Sequence, residues 1–260
     1  MFSGFYTAAS GLLTQQHKIN VLTNNFANLK TPGFRASRVV TETFNEELVT
    51  RMEGGKQEVI GSSAPINVVR DVLVDFENGA LEATGRSLDF ALDGMGYFCV
   101  NQPAQTDEQG QETTPAQLLF TRNGSFEIDA DGYLTSKAGR VLGERGEIYT
   151  GGANFTVTEN GEIYGADGRY IDKLLLARPQ DEQQLTMMPN GNFLADADAL
   201  NTMQTSDAKV YQGHLEQANI DVNREYTLVM EAQRALQSCS QALKIVDVMN
   251  QKASTQIASL

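Results

Sequence analysis

Residues 222–260 read VNREYTLVMEAQRALQSCSQALKIVDVMNQKASTQIASL, and this stretch decides the fold of the chain. Counted in sevens, it carries two seams of apolar or small residues, with Glu225 and Asn250 as the polar exceptions. A sustained seven-residue repeat is typical of a long helix that packs against another helix. No proline or glycine follows Gly213. We therefore predict a helix over 217–260, about 45 residues and roughly 65 Å long at 1.5 Å per residue. The seams are Val222, Val229, Leu236, Leu243 and Asn250, and Glu225, Ala232, Cys239, Val246, Ala253 and Leu260.

The partner of this helix is predicted at the other end of the chain, over Met1–Leu29. Residues spaced by seven again form two seams, and Pro32-Gly33 ends the helix because proline forces Thr31 toward extended geometry. Two pairings remain open: a hairpin within one chain, or contacts between copies. The C-terminal helix is the longer of the two, so part of it lacks a partner within the chain. The N-terminal seams are Phe5, Leu12, Ile19 and Phe26, and Phe2, Ala9, Gln16 and Thr23.

A stripe of amides also runs along the first helix, because Gln16, Asn20, Asn24 and Asn28 recur every four residues. Asparagine is a poor helix former, and a solvated helix face usually carries Lys or Glu. Uncharged amides suit a contact in which polar groups fix the register between helices. The alternative is that the asparagines, with Asn25 among them, only cap and fray the helix end.

The middle of the chain is predicted to be rich in strands. Residues 36–86 read as a connecting segment, with a short helix over Thr41–Met52 and alternating strands from Ile66 to Phe76. Residues 87–207 read as a β domain, whose turns are marked by Asn-Gly or Asp-Gly pairs. The predicted class is α+β: paired, coiled-coil-like terminal helices (1–35 and 208–260) around an all-β barrel or sandwich. The turn pairs are Asn123-Gly124, Asp131-Gly132, Asn160-Gly161, Asp167-Gly168 and Asn190-Gly191.

Composition excludes several classes of protein. The net charge of −13, without a cluster of Lys or Arg, argues against nucleic acid and anionic lipid as partners. The sequence has no run of 18 apolar residues, so it predicts no membrane helix. The first residues lack the basic and apolar regions of a secretory signal peptide, so no cleaved signal is predicted. Cys99 and Cys239 are interpreted as small buried apolar residues.

The sequence contains no arrangement typical of a catalytic, metal or cofactor site. His17 and His214 fall in no metal motif, and the Asp129–Gly132 stretch lacks the glycine and glutamate spacing of a calcium loop. Gly94-Met95-Gly96 leads into a strand and has no third glycine, unlike a dinucleotide-binding loop. We therefore predict no enzyme activity and no cofactor.

Several ordered motifs resemble the flagellar basal-body rod and hook proteins, and together they span nearly the whole chain. Two lie at the end of the first helix, two at the start and middle of the second, and two in the β region. The motifs differ from the family pattern at Phe26, where Leu is usual, and at Ala218, where Ser is usual. They are 24–29 (NNFANL), 31–35 (TPGFR), 215–222 (LEQANIDV), 233–235 (QRA), 89–100 (DFALDGMGYFCV) and 120–126 (FTRNGSF).

The resemblance implies a structural subunit that polymerises helically through its terminal helices into the drive shaft between the export ring and the hook. The implied partners are further copies of the chain, adjacent rod and hook subunits and the flagellar type III export apparatus, with no membrane insertion. The implied location is the basal body across the cell envelope, after export without a cleaved signal. The predicted assembly interface comprises Phe5, Leu12, Gln16, Ile19, Asn20, Asn24, Asn25, Phe26, Asn28, Val222, Val229, Leu236, Leu243 and Val246.

Two other classes of protein stay open, as does the type of rod protein. A soluble coiled-coil adaptor would stop at a defined oligomer, whereas a rod subunit forms open filaments. An enzyme attached to an axial protein would need a further domain with an acid pair or a metal motif. The 31–35 motif favours a proximal rod protein, whereas the length and the lead-in to Asp89 favour a distal one.

The amide stripe yields a direct test, the double substitution Asn24→Lys and Asn28→Lys. We expect the β domain to stay folded and assembly to fail, because each lysine would be buried in the helix contact without a partner. Circular dichroism checks the fold, and electron microscopy together with a swimming assay checks assembly. Normal filaments and motility would show that the stripe is only a solvated face.

Overall fold

The fold is described from a computed structural model, which covers residues 2–44, 47–53, 56–63, 66–103, 105–106, 112–114, 117–195, 200 and 202–258. The chain divides into two compact units, each built from separated segments. Unit 1 comprises Met1–Phe26, Ser37–Leu73 and Asp221–Leu260, and unit 2 comprises Ala27–Ala36 and Val74–Ile220. An N-terminal helix, a β-rich middle and a C-terminal helix confirm the predicted α+β class.

Unit 1 contains both long helices and a β ribbon. Helix α1 spans Phe2–Ala27 and helix α2 spans Val222–Ala258. The ribbon strands are β1 (Ser37–Phe44), which pairs with β4 (Ile66–Val74), and β2 (Glu47–Glu53), which pairs antiparallel with β3 (Lys56–Ser63).

The short helix predicted over Thr41–Met52 is wrong where the structure describes it, because strands β1 and β2 occupy this region. Residues 45 and 46 of that prediction lie outside the described residues. The sequence SRVVTETF of β1 is rich in β-branched residues, which favour strands. A four-residue spacing of large apolar residues was therefore a weaker signal than the local backbone preference.

Helix α2 begins later than the sequence suggested. It was expected to start between Ala208 and Gln217, but strands cover 209–212 and 214–216, and the helix begins at Val222. The Asp221 carboxylate accepts hydrogen bonds from the backbone N–H groups of Asn223 (2.9 Å) and Arg224 (3.3 Å). Aspartate in this role satisfies donors that have no partner inside the helix, and so fixes the start.

The more buried positions of α2 follow the predicted seven-residue spacing. Ala232 is buried, and the half-buried positions Val229, Leu236, Leu243 and Val246 continue the same two seams. On α1 the buried residues are Thr14, Leu22 and Asn25, which lie next to the predicted seam rather than on it. The two helices approach closely at Gly11, where an added Cβ would lie 3.3 Å from the Cys239 Sγ.

Unit 2 is built around a mainly antiparallel sheet ordered β11-β12-β13-β7-β10-β20-β19, in which β14 pairs with β13, β18 with β7, and β21 with β18. Its strands are β5 (Leu81–Ala83), β6 (Phe90–Asp93), β7 (Tyr97–Gln102), β8 (Gln105–Thr106), β9 (Glu112–Thr114), β10 (Gln117–Thr121), β11 (Glu127–Ile128), β12 (Leu134–Ser136), β13 (Gly139–Gly143), β14 (Gly146–Glu147), β15 (Phe155–Val157), β16 (Glu162–Gly165), β17 (Tyr170–Lys173), β18 (Leu176–Arg178), β19 (Leu185–Met187), β20 (Phe193–Ala195), β21 (Gln204–Thr205), β22 (Lys209–Gln212) and β23 (His214–Glu216). Smaller sheets pair β22 with β6, β23 with β5 and β8 with β9, and join β15, β16 and β17.

Strand β7 lies at the centre of this sheet and is buried on both faces. Phe98 joins one apolar cluster with Phe90 and Phe126, whereas Tyr97 and Cys99 join a second cluster on the opposite face. Successive side chains of a strand point to opposite faces, so a strand covered on both sides is apolar throughout. Burial raises the pKa of the Cys99 thiol to about 12, so the thiol stays protonated at neutral pH and packs as a small apolar group.

Most of the predicted turns connect paired strands. The Asp131-Gly132, Asn160-Gly161, Asp167-Gly168 and Asn190-Gly191 turns join neighbouring antiparallel strands, and each glycine has a positive φ. Asn123-Gly124 does not form a hairpin, because β10 pairs with β7 and β20 while β11 pairs with β12. Gly124 instead lies against the backbone of Phe90, whose N–H donates to its carbonyl at 2.9 Å.

The double-sided core yields a stability prediction for Phe126, which is fully buried between Phe90 and Phe98. We expect Phe126→Ala to lower the free energy of unfolding by about 3–5 kcal/mol, the usual loss for a buried phenylalanine. Urea unfolding followed by circular dichroism measures the change. The exposed Tyr149→Ala is the matched control, and a comparable loss there would show that the aromatic cluster is not the core.

Candidate functional site

The predicted interface residues of α1 lie mainly on its exposed side. Phe5, Gln16, Asn20, Asn24 and Phe26 are exposed, whereas Leu12, Ile19 and Asn28 are half-buried. The exposed part of the helix thus combines large apolar side chains with the amide stripe. A surface of this composition is suited to contact with another protein rather than to solvent alone.

Asn25 differs from the other predicted interface residues because it is fully buried within the chain. Its side-chain oxygen accepts a hydrogen bond from the Ser37 N–H at 3.0 Å, and its amide group donates to the Ser37 carbonyl at 2.8 Å. The amide therefore imitates a backbone pairing and holds the first residue of β1 beside the last turns of α1. This placement explains why an amide, which offers both a donor and an acceptor, stands at position 25.

The predicted residues of α2 divide along its length. Val222 is exposed, and Val229, Leu236, Leu243 and Val246 are half-buried along the seam. Toward its C-terminal end the helix also exposes Ile245, Val248 and Met249. Exposed large apolar residues close together on one helix mark a surface available for association.

A second arrangement, inside unit 2, was not predicted. The carboxylate of Glu216 lies between the guanidinium groups of Arg35 and Arg122, and we call these three residues the junction. Arg35 Nη2 is 2.9 Å from Glu216 Oε1, and Arg122 Nη1 is 3.2 Å from Glu216 Oε2. The side chains are only 1–2% exposed. An ion pair that is fully removed from water needs close partners for every charge.

Backbone carbonyls and one side-chain oxygen supply further acceptors for the two arginines. Arg35 donates to the carbonyl of Glu77 and, at 2.9 Å, to the side-chain oxygen of Asn78. Arg122 donates to the carbonyls of Leu92 (3.4 Å) and Gly94 (2.6 Å). Two positive charges and one negative charge would be unfavourable without such dipoles, because the local environment cannot supply water.

Glu216 is likewise held by backbone donors from both sides. Its Oε1 accepts from the Gly79 N–H at 2.9 Å, and its own carbonyl accepts from the Gly33 N–H at 2.8 Å. An added Cβ at Gly33, where φ is +68°, would overlap the backbone of Arg122. Glycine therefore permits both the left-handed turn after Pro32 and the close approach of this turn to the junction.

Asn219 joins the same segments a few residues further on. Its side-chain oxygen accepts from the Ala36 N–H at 2.7 Å, and its amide donates to the carbonyls of Asp75 (2.8 Å) and Glu77 (3.0 Å). The segments that lead out of α1 and into α2 are thus both anchored within unit 2. The asparagine of the 215–222 motif has a structural role that its sequence alone did not indicate.

Burial dominates the electrostatics of the junction. It lowers the pKa of Arg122, while the neighbouring Glu216 opposes that change by favouring the charged guanidinium. The Arg122 guanidinium also lies 5.4 Å from the ring centre of Tyr97, whose pKa is raised, mainly by burial. The three junction residues are joined by buried ion pairs, and we interpret the junction as a structural tie.

Sequence reasoning missed the junction although all three residues lie in motifs quoted above. Arg122 stands between Phe120 and Phe126 in a run of mostly buried residues, and Glu216 is the last residue of strand β23. A charge inside an apolar strand pattern is a usable signal of a buried ion pair. The partners could not be chosen from the sequence, because 94 positions separate Arg122 from Glu216.

Two other kinds of feature are absent from the described residues. No helix there is both long and apolar enough to cross a bilayer. No group of three or more His, Cys, Asp or Glu side chains in that part of the chain could hold a metal ion.

Three family comparisons match separate parts of the chain, and together they cover more than half of it. Residues 5–35 match the flagella basal body rod protein family, and this match includes most of α1 and Arg35. Residues 91–165 match the D1 domain of the flagellar hook proteins FlgE/F/G, and 211–256 match the C-terminal region of the flagellar basal body rod FlgEFG proteins. The match over 91–165 includes Arg122, and the match over 211–256 includes Glu216.

Relatives align along almost their full lengths. The chain is 27% identical to the flagellar basal-body rod protein FlgG of Buchnera aphidicola, over 98% of this chain and 99% of that protein. It is 28% identical to the flagellar basal-body rod protein FlgF of Caulobacter vibrioides, over the whole of both chains. It is also 28% identical to the FlgG protein of Bacillus subtilis, over 97% and 98% of the two. The chain belongs to the family of flagellar basal-body rod and hook proteins.

The junction yields a second stability prediction. Glu216→Ala leaves two buried guanidinium groups without their shared carboxylate, and breaking a buried ion pair in this way typically costs about 3–5 kcal/mol. We expect a loss of that size in urea unfolding. Glu159→Ala is the matched control, because Glu159 pairs with Lys209 at 2.9 Å on the exposed surface and should cost no more than about 1 kcal/mol. Equal losses in the two variants would contradict a special role for Glu216.

The junction also determines which truncated fragment of the chain should fold on its own. Removal of residues 1–35 and 215–260, which hold both long helices and the family motifs at each end, leaves a β body of residues 36–214. That cut removes Arg35 and Glu216 and leaves Arg122 buried without its carboxylate. We now expect residues 27–220 to melt cooperatively as a soluble monomer and residues 36–214 to be much less stable, as differential scanning calorimetry would show. A stable 36–214 fragment would contradict this expectation.

Proposed function

We infer that this chain is a structural subunit of the bacterial flagellar basal-body rod. The observation that carries this conclusion is the end-to-end alignment with proteins named as basal-body rod proteins, together with family matches that include α1, the sheet and α2. The location that follows is the basal body. A structural role is consistent with the packing, hydrogen bonds and ion pairs found among the described residues, and we propose no enzyme activity.

We propose that copies of the chain polymerise through α1 and α2. The large apolar side chains that the helices expose support this contact, including Phe5 and Phe26 on α1 and Ile245, Val248 and Met249 on α2. Helix α2 has 37 residues and α1 has 26, so α2 offers more length than a single α1 can match. Contacts that repeat from copy to copy without closing produce an open helical filament.

The distribution of charge supports the same proposal. Unit 2 contains 23 acidic and 11 basic residues, so it carries a net charge of −12 of the total −13. Helix α1 contains a single charged residue, Lys18, and α2 contains four basic and three acidic residues. Nearly neutral helices can pack side by side without repulsion, whereas the acidic body resists close approach of its copies.

We further propose the finer features that the resemblance implies. The helices would pair as coiled coils, because the buried positions of α2 recur every three and four residues. The sheet of unit 2, which carries apolar clusters on both faces, would form a sandwich-like body. Neighbouring rod and hook subunits and the type III export apparatus would be the partners. Apart from Asn25, which is buried within the chain, the predicted interface residues would lie in the contacts between copies.

Leu236→Asp tests the polymerisation proposal. An aspartate on the α2 seam loses the packing of leucine and introduces a charge that is costly to desolvate, together several kcal/mol at each contact. Because the loss recurs at every subunit, we expect no filaments by negative-stain microscopy and no rod assembly in cells, with unit 2 still folded. Gln237→Asp is the control, since it adds the same charge at an exposed neighbouring position.

Three outcomes are distinguishable. Filaments from the native chain and from Gln237→Asp, but not from Leu236→Asp, support the proposal. Normal filaments from Leu236→Asp would show that the α2 seam is not part of the assembly contact. A native chain that stops at a defined oligomer at high concentration would identify an adaptor instead of a rod subunit.

A further inference from the structure

We propose that the junction is the last part of unit 2 to form during folding, so that completion of unit 2 depends on the segment that leads into α2. The proposal concerns the folding of the single chain and does not rest on its role in the rod. In this proposal the Glu216 carboxylate forms its ion pairs with Arg35 and Arg122 last, and these pairs hold both arginines in place.

The order of the residues along the chain is the first argument. Glu216 lies 181 positions after Arg35 and 94 positions after Arg122, so both ion pairs join residues that are far apart in the sequence. The entropic cost of closing a loop rises with its length, so contacts between distant residues are the most costly to form early. During synthesis or any other delivery that begins at the N-terminus, Arg35 and Arg122 are both present before Glu216.

The electrostatics of the site give the second argument. Without Glu216, docking of residues 33–36 onto Arg122 would bury two guanidinium groups in one place with carbonyl dipoles alone as partners. Removing each charge from water is costly, and like charges at close range add repulsion. The arginines therefore favour solvent until the carboxylate arrives, and the 33–36 segment stays undocked with them.

Much of the apolar core of unit 2 faces a smaller entropic barrier, although Val210 joins it from 120 positions after Phe90. Phe98, Phe126, Val141 and Ile163 lie within 66 positions of one another, and hairpins such as β15–β16 join neighbours in the sequence. Local pairings of this kind form early, because little loop entropy is lost. The core can therefore condense while the junction is still open.

The backbone around Glu216 explains why closure involves several segments at once. The segment 214–219 supplies the Glu216 carboxylate and carbonyl and the Asn219 amide, which bind residues 33–36 and 75–79. Gly79 fits directly against this segment, since an added Cβ there would overlap the Gln217 carbonyl. A chain that ends before Glu216 would keep its core but leave both neighbouring segments undocked, and so would be an incomplete subunit.

Stopped-flow unfolding and refolding of the full chain at low concentration tests the proposal. We compare Glu216→Gln with the core variant Phe126→Leu and the surface control Glu159→Gln, using circular dichroism as the probe. If the junction forms after the rate-limiting step, Glu216→Gln should refold within about twofold of the native rate and unfold at least about tenfold faster. Phe126→Leu should slow refolding, and Glu159→Gln should change neither rate by more than about twofold.

The opposite results would overturn the proposal. A Glu216→Gln variant that loses its stability through slower refolding, with an unchanged unfolding rate, would place the junction in the folding nucleus. Stability equal to that of the native chain would show that closure does not depend on the carboxylate. If Glu216→Gln does not fold, the milder Asn219→Ala replaces it, with the same expected pattern of native refolding and faster unfolding, and slower refolding of that variant would overturn the proposal.

Discussion

The constraint on which unit 2 depends is the removal of three charges from water at one point. Glu216 must neutralise Arg35 and Arg122 at distances of 2.9 and 3.2 Å, because neither arginine has water to replace the carboxylate. Each residue comes from a different part of the chain, and each belongs to a motif of the rod family. A single ion cluster therefore ties the segment after α1, the strand before the Asn123-Gly124 pair and the segment before α2.

The helical unit depends on a different principle, which is periodic apolar burial. The seams of α2 were found from spacing alone, since a seven-residue repeat is a property of the helix itself. The buried face of α1 was displaced from the prediction because its glycine, threonine and asparagine pack inward. Small residues allow close approach, as at Gly11 beside Cys239, although they carry little hydrophobic signal.

Buried charge pairing and periodic apolar burial therefore act in different parts of the chain. The acidic unit 2 is closed by internal charge pairs and a double-sided apolar core, whereas the helices keep nearly neutral, partly apolar surfaces. In the proposed rod subunit, nearly neutral helices would let copies pack side by side while the acidic unit 2 stays apart from its copies. The two helices carry many of the exposed large apolar side chains, and strand β4 exposes Val68, Val72 and Leu73 as well.

The sequence by itself determined the α+β class, both helices, most Asp-Gly and Asn-Gly turns and the family, because these follow from local backbone preference and ordered motifs. Only the tertiary structure decided the strands at 41–44 and 47–52, the late start of α2 at Val222 and the failure of Asn123-Gly124 to form a hairpin. It alone brought Arg35, Arg122 and Glu216 together. Pairing between residues 94 or more positions apart depends on how strands and segments are ordered in space, and spacing along the chain carries no information about that order.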